Sequence, residues 1–247
     1  MMINRLKYSI AAGCLTALSA TSSAWADTTY FNANQTYRGL SDSPFWTGSA
    51  AMSAGNFRVE NCEDGFLNSL GVTGRGGKVQ GPSASTDSVD SDGNHVLDGQ
   101  GSSGSSYLVQ PNANGKSKAV FTFDSHALGH LPTFAGLVWT DGRPDAVVTF
   151  KAYDASGHIV GRITTRLGDS SSSGTTAEDR FLGASYSRGI ARIVVTASLG
   201  DFEIDHLQYG FAAFAMSAVP APPSLALGAV GLLGAGLARR RMMRALG

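Results

Sequence analysis

The stretch Ala146-Val147-Val148-Thr149-Phe150-Lys151-Ala152-Tyr153-Asp154, followed by Ala155-Ser156-Gly157 and by His158-Ile159-Val160-Gly161-Arg162-Ile163-Thr164-Thr165, decides the fold. Val148, Phe150 and Ala152 alternate with more polar residues, the period of a strand with one buried face. Asp154 to Gly157 supplies the residues with which a chain reverses tightly. Two strands joined by a short turn are the expectation here, and the same texture extends in both directions. Further strands are expected over Asn56–Cys62, Ala119–Phe123, Phe134–Trp139, Arg180–Tyr186, Ile190–Ala197 and Phe202–Tyr209. All are rich in β-branched and aromatic residues. Asp141-Gly142-Arg143-Pro144 and Arg188-Gly189 read as turns between them.

No long amphipathic helix interrupts this series. Short connections without alternating helices predict an all-β, antiparallel, jelly-roll-like sandwich, with a closed barrel as the nearest rival. The stretch from Val79 to Tyr107 is poor in apolar residues and rich in Ser, Gly and Asp, and reads as a long surface loop.

The two ends differ from this centre. Arg5 and Lys7 precede an apolar stretch from Tyr8 to Leu18, and Ala24-Trp25-Ala26 fits a small-x-small cleavage site. Residues 1–26 are expected to be a signal peptide forming a short helix, with the mature chain starting at Asp27. Residues 27–218 are the right length for one domain. All 19 Asp and Glu of the chain lie there, whereas six of the 19 Lys and Arg lie outside it, so 13 cations against 19 anions leave a formal charge of −6. Without a basic run, such a domain is not expected to bind nucleic acid. Cys14 leaves with the signal peptide and Cys62 stands alone, which rules out a disulfide within the mature domain. Cys62 reads as a small apolar residue on the buried face of a strand.

Residues 219–247 have three parts: Val219-Pro220-Ala221-Pro222-Pro223, an uncharged run from Ser224 to Ala238, and Arg239-Arg240-Arg241 with Arg244. The prolines are expected to end the preceding domain, the apolar run to form a hydrophobic helix, and the arginines to hold its far end in the cytoplasm. At about 1.5 Å per residue the run covers only about 22 Å, short of the roughly 30 Å hydrocarbon core. This layout resembles the PEP-CTERM sorting signal, in which a Pro-Glu-Pro motif precedes a short hydrophobic helix and a basic end. Ala221 stands where that family usually has Glu. The resemblance implies an exosortase-type processing enzyme as partner. It also implies a precursor anchored in the inner membrane by the C-terminal helix, then delivered to the cell envelope, the surface or the exterior.

The central domain is similar, more loosely, to the lectin-like or carbohydrate-binding-module-like β-sandwiches that accompany such tails. The residues behind this are Glu60-Asn61-Cys62-Glu63-Asp64-Gly65, Asp87-Ser88-Val89-Asp90, Thr176-Ala177-Glu178-Asp179-Arg180 and Phe202-Glu203-Ile204-Asp205-His206. In a jelly roll the first and last strands often lie side by side, which would bring Glu60, Glu63 or Asp64 to Asp205. Gathered carboxylates repel unless a cation sits between them, so these four are candidate ligands for a structural calcium ion. The alternative is that they face water or pair with Arg58 and Arg180. Asp87-x-x-Asp90-x-Asp92-x-Asn94 is not an EF-hand, because His95 replaces the turn glycine and Gly101 the bidentate glutamate.

Catalytic signatures are missing. The sequence has no G-x-S-x-G elbow and no phosphate-binding loop, and His126-x-x-x-His130 lacks the glutamate of a zinc helix. Asp124-Ser125-His126 reads as a strand end or turn rather than as part of a triad. Two classes of function follow. The first is an exported, non-catalytic envelope or matrix protein that binds extracellular polysaccharide through acidic residues and aromatics such as Trp46, Trp139 and Tyr209, although Trp139 sits in an apolar strand that suits a core. The second is a secreted glycan-active enzyme with a carboxylate pair such as Asp179 and Asp205.

Overall fold

The deciding stretch forms two paired strands in the computed structural model, which describes residues 28–32, 36–46, 55–89, 104–169 and 178–211. The Gly157 N–H donates to the Asp154 carbonyl at 3.1 Å and the His158 N–H to Asp154 Oδ1 at 2.9 Å, closing the reversal. Phe150 then stands opposite Ile163 and Lys151 opposite Arg162.

Twelve strands are described. They are β1 (Thr28–Asn32), β2 (Phe57–Glu60), β3 (Val72–Arg75), β4 (Lys78–Gln80), β5 (Ser106–Val109) and β6 (Ser117–Phe123), then β7 (Phe134–Gly142), β8 (Val148–Tyr153), β9 (Ile159–Thr165), β10 (Arg180–Tyr186), β11 (Arg192–Ala197) and β12 (Phe202–Gly210). All pair antiparallel, in two sheets. The larger runs β1-β10-β7-β12-β5-β4, with β2 also on β12; the smaller runs β3-β6-β11-β8-β9. Among the described residues, helix is limited to a 3₁₀ turn at Leu40–Asp42 and the single turn α1 (Ser125–Leu128), whose N-cap Asp124 accepts the His126 N–H. The expected all-β sandwich is what forms.

The two sheets bury a shared core. Phe121, Phe150, Ile193 and Val195 from the smaller sheet meet Leu137, Trp139, Ile204 and Tyr209 from the larger. Tyr107 lies 5.3 Å from Phe121 and Phe123 lies 5.1 Å from Tyr209, between ring centroids. The outer face of the larger sheet is also covered. Tyr37 and Phe45, from the segment before β2, join Phe57, Phe134, Val138 and Phe181 in a second cluster. This is why β7 is buried continuously from Phe134 to Thr140 and β12 along its whole length. The smaller sheet has no such cover among the described residues, and β6 and β8 alternate buried with more exposed positions along their length.

Some readings change. Asp141 and Gly142 continue β7, and the turn falls two residues later, where the Ala146 N–H donates to the Arg143 carbonyl. The stretch from Val79 to Tyr107 is not one loop, since β4 and β5 pair at its two ends. Cys62 is buried but lies beyond β2 in a turn, at φ 61, with its carbonyl accepting the Gly65 N–H. The signal segment, the tail with Pro220, Ala221, Pro222, Arg239, Arg240 and Arg241, and Asp90, Asp92 and Asn94 lie outside the described residues. Among the described residues no helix is long and apolar enough to cross a membrane.

Candidate functional site

The expected meeting of the chain's early and late acids takes place. β2 lies on β12 with Glu60 opposite Leu207, and Glu60 and Asp205 line the same internal space of about 10 Å³ beside Cys62. These carboxylates face protein donors. Glu60 accepts the N–H groups of Cys62 at 2.9 Å, Asn68 at 2.8 Å and Ser69 at 2.9 Å. Asp205 accepts from Ser88 Oγ at 2.9 Å, the Val89 N–H at 3.1 Å and its neighbour His206 N–H at 2.6 Å. Glu63 accepts the Ser105 N–H, and the exposed Asp64 accepts the Phe66 N–H and the Asn68 amide. Carboxylates already occupied by N–H donors anchor loops, and a cation there would have to displace those donors. The donor set does not fit the expected calcium ion, and among the described residues no group of three or more His, Cys, Asp or Glu is arranged to hold a metal.

A second acidic assembly lies deeper, drawn from three places in the chain. β12 supplies Glu203 and Asp205, the residues before β10 supply Glu178 and Asp179, and the 81–89 segment supplies Asp87. Glu203 accepts the Asp87 N–H at 2.7 Å and Ser106 Oγ at 2.8 Å, and Thr140 Oγ1 donates to the Asp87 carbonyl at 3.0 Å. These bonds strap the 81–89 segment to the sheet. Asp179 is fully buried, and neither of its carboxylate oxygens has a hydrogen-bond partner. Burial, with Asp87, Asp205 and Glu178 nearby, pushes its carboxyl up to about 10. Burial likewise raises Glu178 to about 9, reinforced by Asp141 and Asp169, and Glu203 to about 7 against the hydrogen bonds it accepts. Asp141, at the end of β7, rises to about 6, mainly through burial.

Asp205 is among the charges that raise Asp179, but the two side chains are 2 % and 0 % exposed. A glycosidic oxygen must reach hydrogen-bond distance of such a pair. Of the expected aromatic platforms, Trp139 and Tyr209 are internal and Trp46 is half-buried. Trp139 stacks on Phe202 at 4.7 Å, Tyr209 is buried with its hydroxyl donating to the Leu70 carbonyl, and Trp46 packs against Phe57 at 5.6 Å. Their apolar bulk is used by the two cores.

The uncovered face of the smaller sheet went unremarked in the sequence. Its outward positions form rows across the strands, one of which runs Arg75, Val120, Val194, Lys151, Arg162 from β3 to β9. The row on one side carries Thr73, Thr122, Arg192 and Tyr153, and the row on the other Lys118, Thr196, Thr149 and Thr164. The Arg192 guanidinium sits over the Tyr153 ring, 4.3 Å from its centroid. At one end of the face, Asn112, Lys116, Lys118, Thr149, Thr196 and Ser198 border an open groove of about 400 Å³. Strand alternation was the available signal, because Lys118, Lys151, Arg162 and Arg192 all fall on the non-core phase of their strands.

No protein-family model and no curated protein matches the sequence. Several solved structures overlay on it, two of them as follows. The carbohydrate-binding module TmCBM61, solved in complex with β-1,4-galactotriose, is 14% identical, with 61% of this chain and 94% of that chain covered at a TM-score of 0.37. The enzymatically active domain of the bacteriophage CBA120 tailspike protein 4 is 15% identical, with 61% of this chain covered but only 20% of that chain, at a TM-score of 0.31. Both overlays are partial, and the sandwich rests on the strand pairing described above.

Proposed function

We propose that the protein is an exported, non-catalytic component of the cell envelope or extracellular matrix, and that its jelly-roll-like sandwich binds glycan. The observation that carries this choice over a glycan-active enzyme is the burial of Asp179 and Asp205. The most plausible acid–base pair lies beneath the 81–89 segment, at 0 % and 2 % exposure, where no sugar linkage has access. An open sheet face carrying hydroxyl and cationic groups, by contrast, suits reversible contact with a polyhydroxylated chain. The signal segment and the PEP-CTERM-like tail supply the route, with an exosortase-type enzyme as the processing partner.

The experiment is to mix the full chain, in detergent, with an array of surface polysaccharides, and to follow co-sedimentation and reducing-end release in the same samples. Retention without release is expected. Release that disappears in Asp179→Asn would overturn the reading in favour of the enzyme, and failure to retain any polysaccharide would remove the glycan role.

A further inference from the structure

We infer that the uncovered face of the five-stranded sheet docks an acidic polysaccharide, one bearing a carboxylate on its sugar rings. This rests on the glycan-binding reading and adds the ligand's charge and its place on the fold. Three observations carry it.

The first is charge segregation. The outward rows hold Arg75, Lys118, Lys151, Arg162 and Arg192 and no Asp or Glu. That is five of the 13 cations between residues 27 and 218, in a region whose formal charge is −6. Neither ion pair between described residues, Arg143–Asp145 or His158–Asp154, involves any of the five. A face of one sign on a domain of the other attracts a partner carrying the complementary charge.

The second is geometry. Strands lie about 4.8 Å apart, so the Arg75-to-Arg162 row spans about 19 Å, room for a chain of several sugars lying across the strands. Lys151 and Arg162 are direct cross-strand partners, which sets two cations side by side for one carboxylate. The Arg192 guanidinium is held over Tyr153, which lowers the cost of ordering it on a ligand.

The third is what lies between the charges. Thr73, Thr122, Thr149, Thr164 and Thr196 place hydroxyls in the flanking rows, and Val120, half-buried beside the buried Val194, makes the middle row's apolar strip. Hydroxyl donors and acceptors beside an apolar strip match the edges and faces of a sugar ring. A nucleic-acid duplex carries one charge per roughly 1.7 Å and would meet the repulsion of the remaining acidic surface, so the sparser charge of an acidic glycan fits better.

The test uses the full chain in detergent in affinity electrophoresis against polygalacturonate, neutral β-1,4-galactan and a DNA duplex. Retardation by polygalacturonate that salt abolishes is expected. The double variant Lys151→Glu/Arg162→Glu should weaken it roughly tenfold or more. Thr164→Lys should strengthen it, and this keeps the test informative if the double variant does not fold. Polygalacturonate binding unmoved by both variants overturns the proposal. Galactan bound as tightly as polygalacturonate, and indifferent to Lys151→Glu/Arg162→Glu, overturns it while leaving glycan binding intact. If neither glycan retards the chain, both readings fall, and if DNA retards it at least as strongly as polygalacturonate, the face is not a glycan site.

Discussion

Asp179 has two oxygens without hydrogen-bond partners and no exposed surface, so the chain has to keep its carboxyl neutral. The pH dependence follows from where the proton is held. With the folded value pushed up to about 10 from an ordinary 3.8, the folded state binds more protons than the unfolded state throughout that window. Its contribution to stability is therefore fullest on the acid side and declines as pH rises through the window. Glu178 and Glu203, also raised, act in the same direction. Asp179→Asn is expected to flatten this decline and to stabilise the fold at pH 8 by about 1–3 kcal/mol, with little gain near pH 4. Urea unfolding at both pH values measures it, and an unchanged slope would refute the account. The sequence made Glu178 and Asp179 visible as acids but not as buried ones. Their cover comes from distant segments, as does the Ser88 and Val89 pair that holds Asp205. Glu60 and Asp205 were legible as neighbours because strand adjacency places them, whereas all of their donors except the His206 N–H lie outside the strands.

Strands β6 to β12 follow from β-branched and aromatic content and from turn chemistry, most of them with alternation as well, and with small shifts at their ends. β3 (Val-Thr-Gly-Arg) and β4 (Lys-Val-Gln) do not, being too short to show a period and held by long-range pairing with β6 and β5. β7 is the reverse case. Its run Phe-Ala-Gly-Leu-Val-Trp lacks alternation because both of its faces are packed. Within it, Gly136 stands opposite Gly183 of β10 and marks a close approach. A Cβ there would strike the Phe181 ring and come within 2.7 Å of the Leu182 carbonyl oxygen. Gly136→Ala is expected to cost about 1–3 kcal/mol, read as a lower melting midpoint, because the Phe181 ring it would displace is part of the outer cluster. A midpoint equal to that of the parent chain would show that the ring yields freely.

At the scale of the whole molecule, composition misled in one respect: a formal charge of −6 and no basic run concealed a cationic face assembled from five strands. The ends of the chain carry the other prediction. Removal of residues 219–247 should move the protein from the membrane fraction to the soluble envelope fraction, and Arg239/Arg240/Arg241→Ala should blur that partition. Fractionation of cells expressing each form tests this, and identical distributions would refute the sorting role. One consequence concerns timing. β12 lies between β7 on one side and β2 and β5 on the other, so the larger sheet has no middle until residues 202–210 arrive. Synthesis at about 5–20 residues per second separates β2 from β12 by on the order of ten seconds. During that interval the strand edges of β2, β5 and β7 that β12 will cover have no central partner. The sandwich can close only once its last strand has been made, which puts the final step of folding at the end of the domain's synthesis.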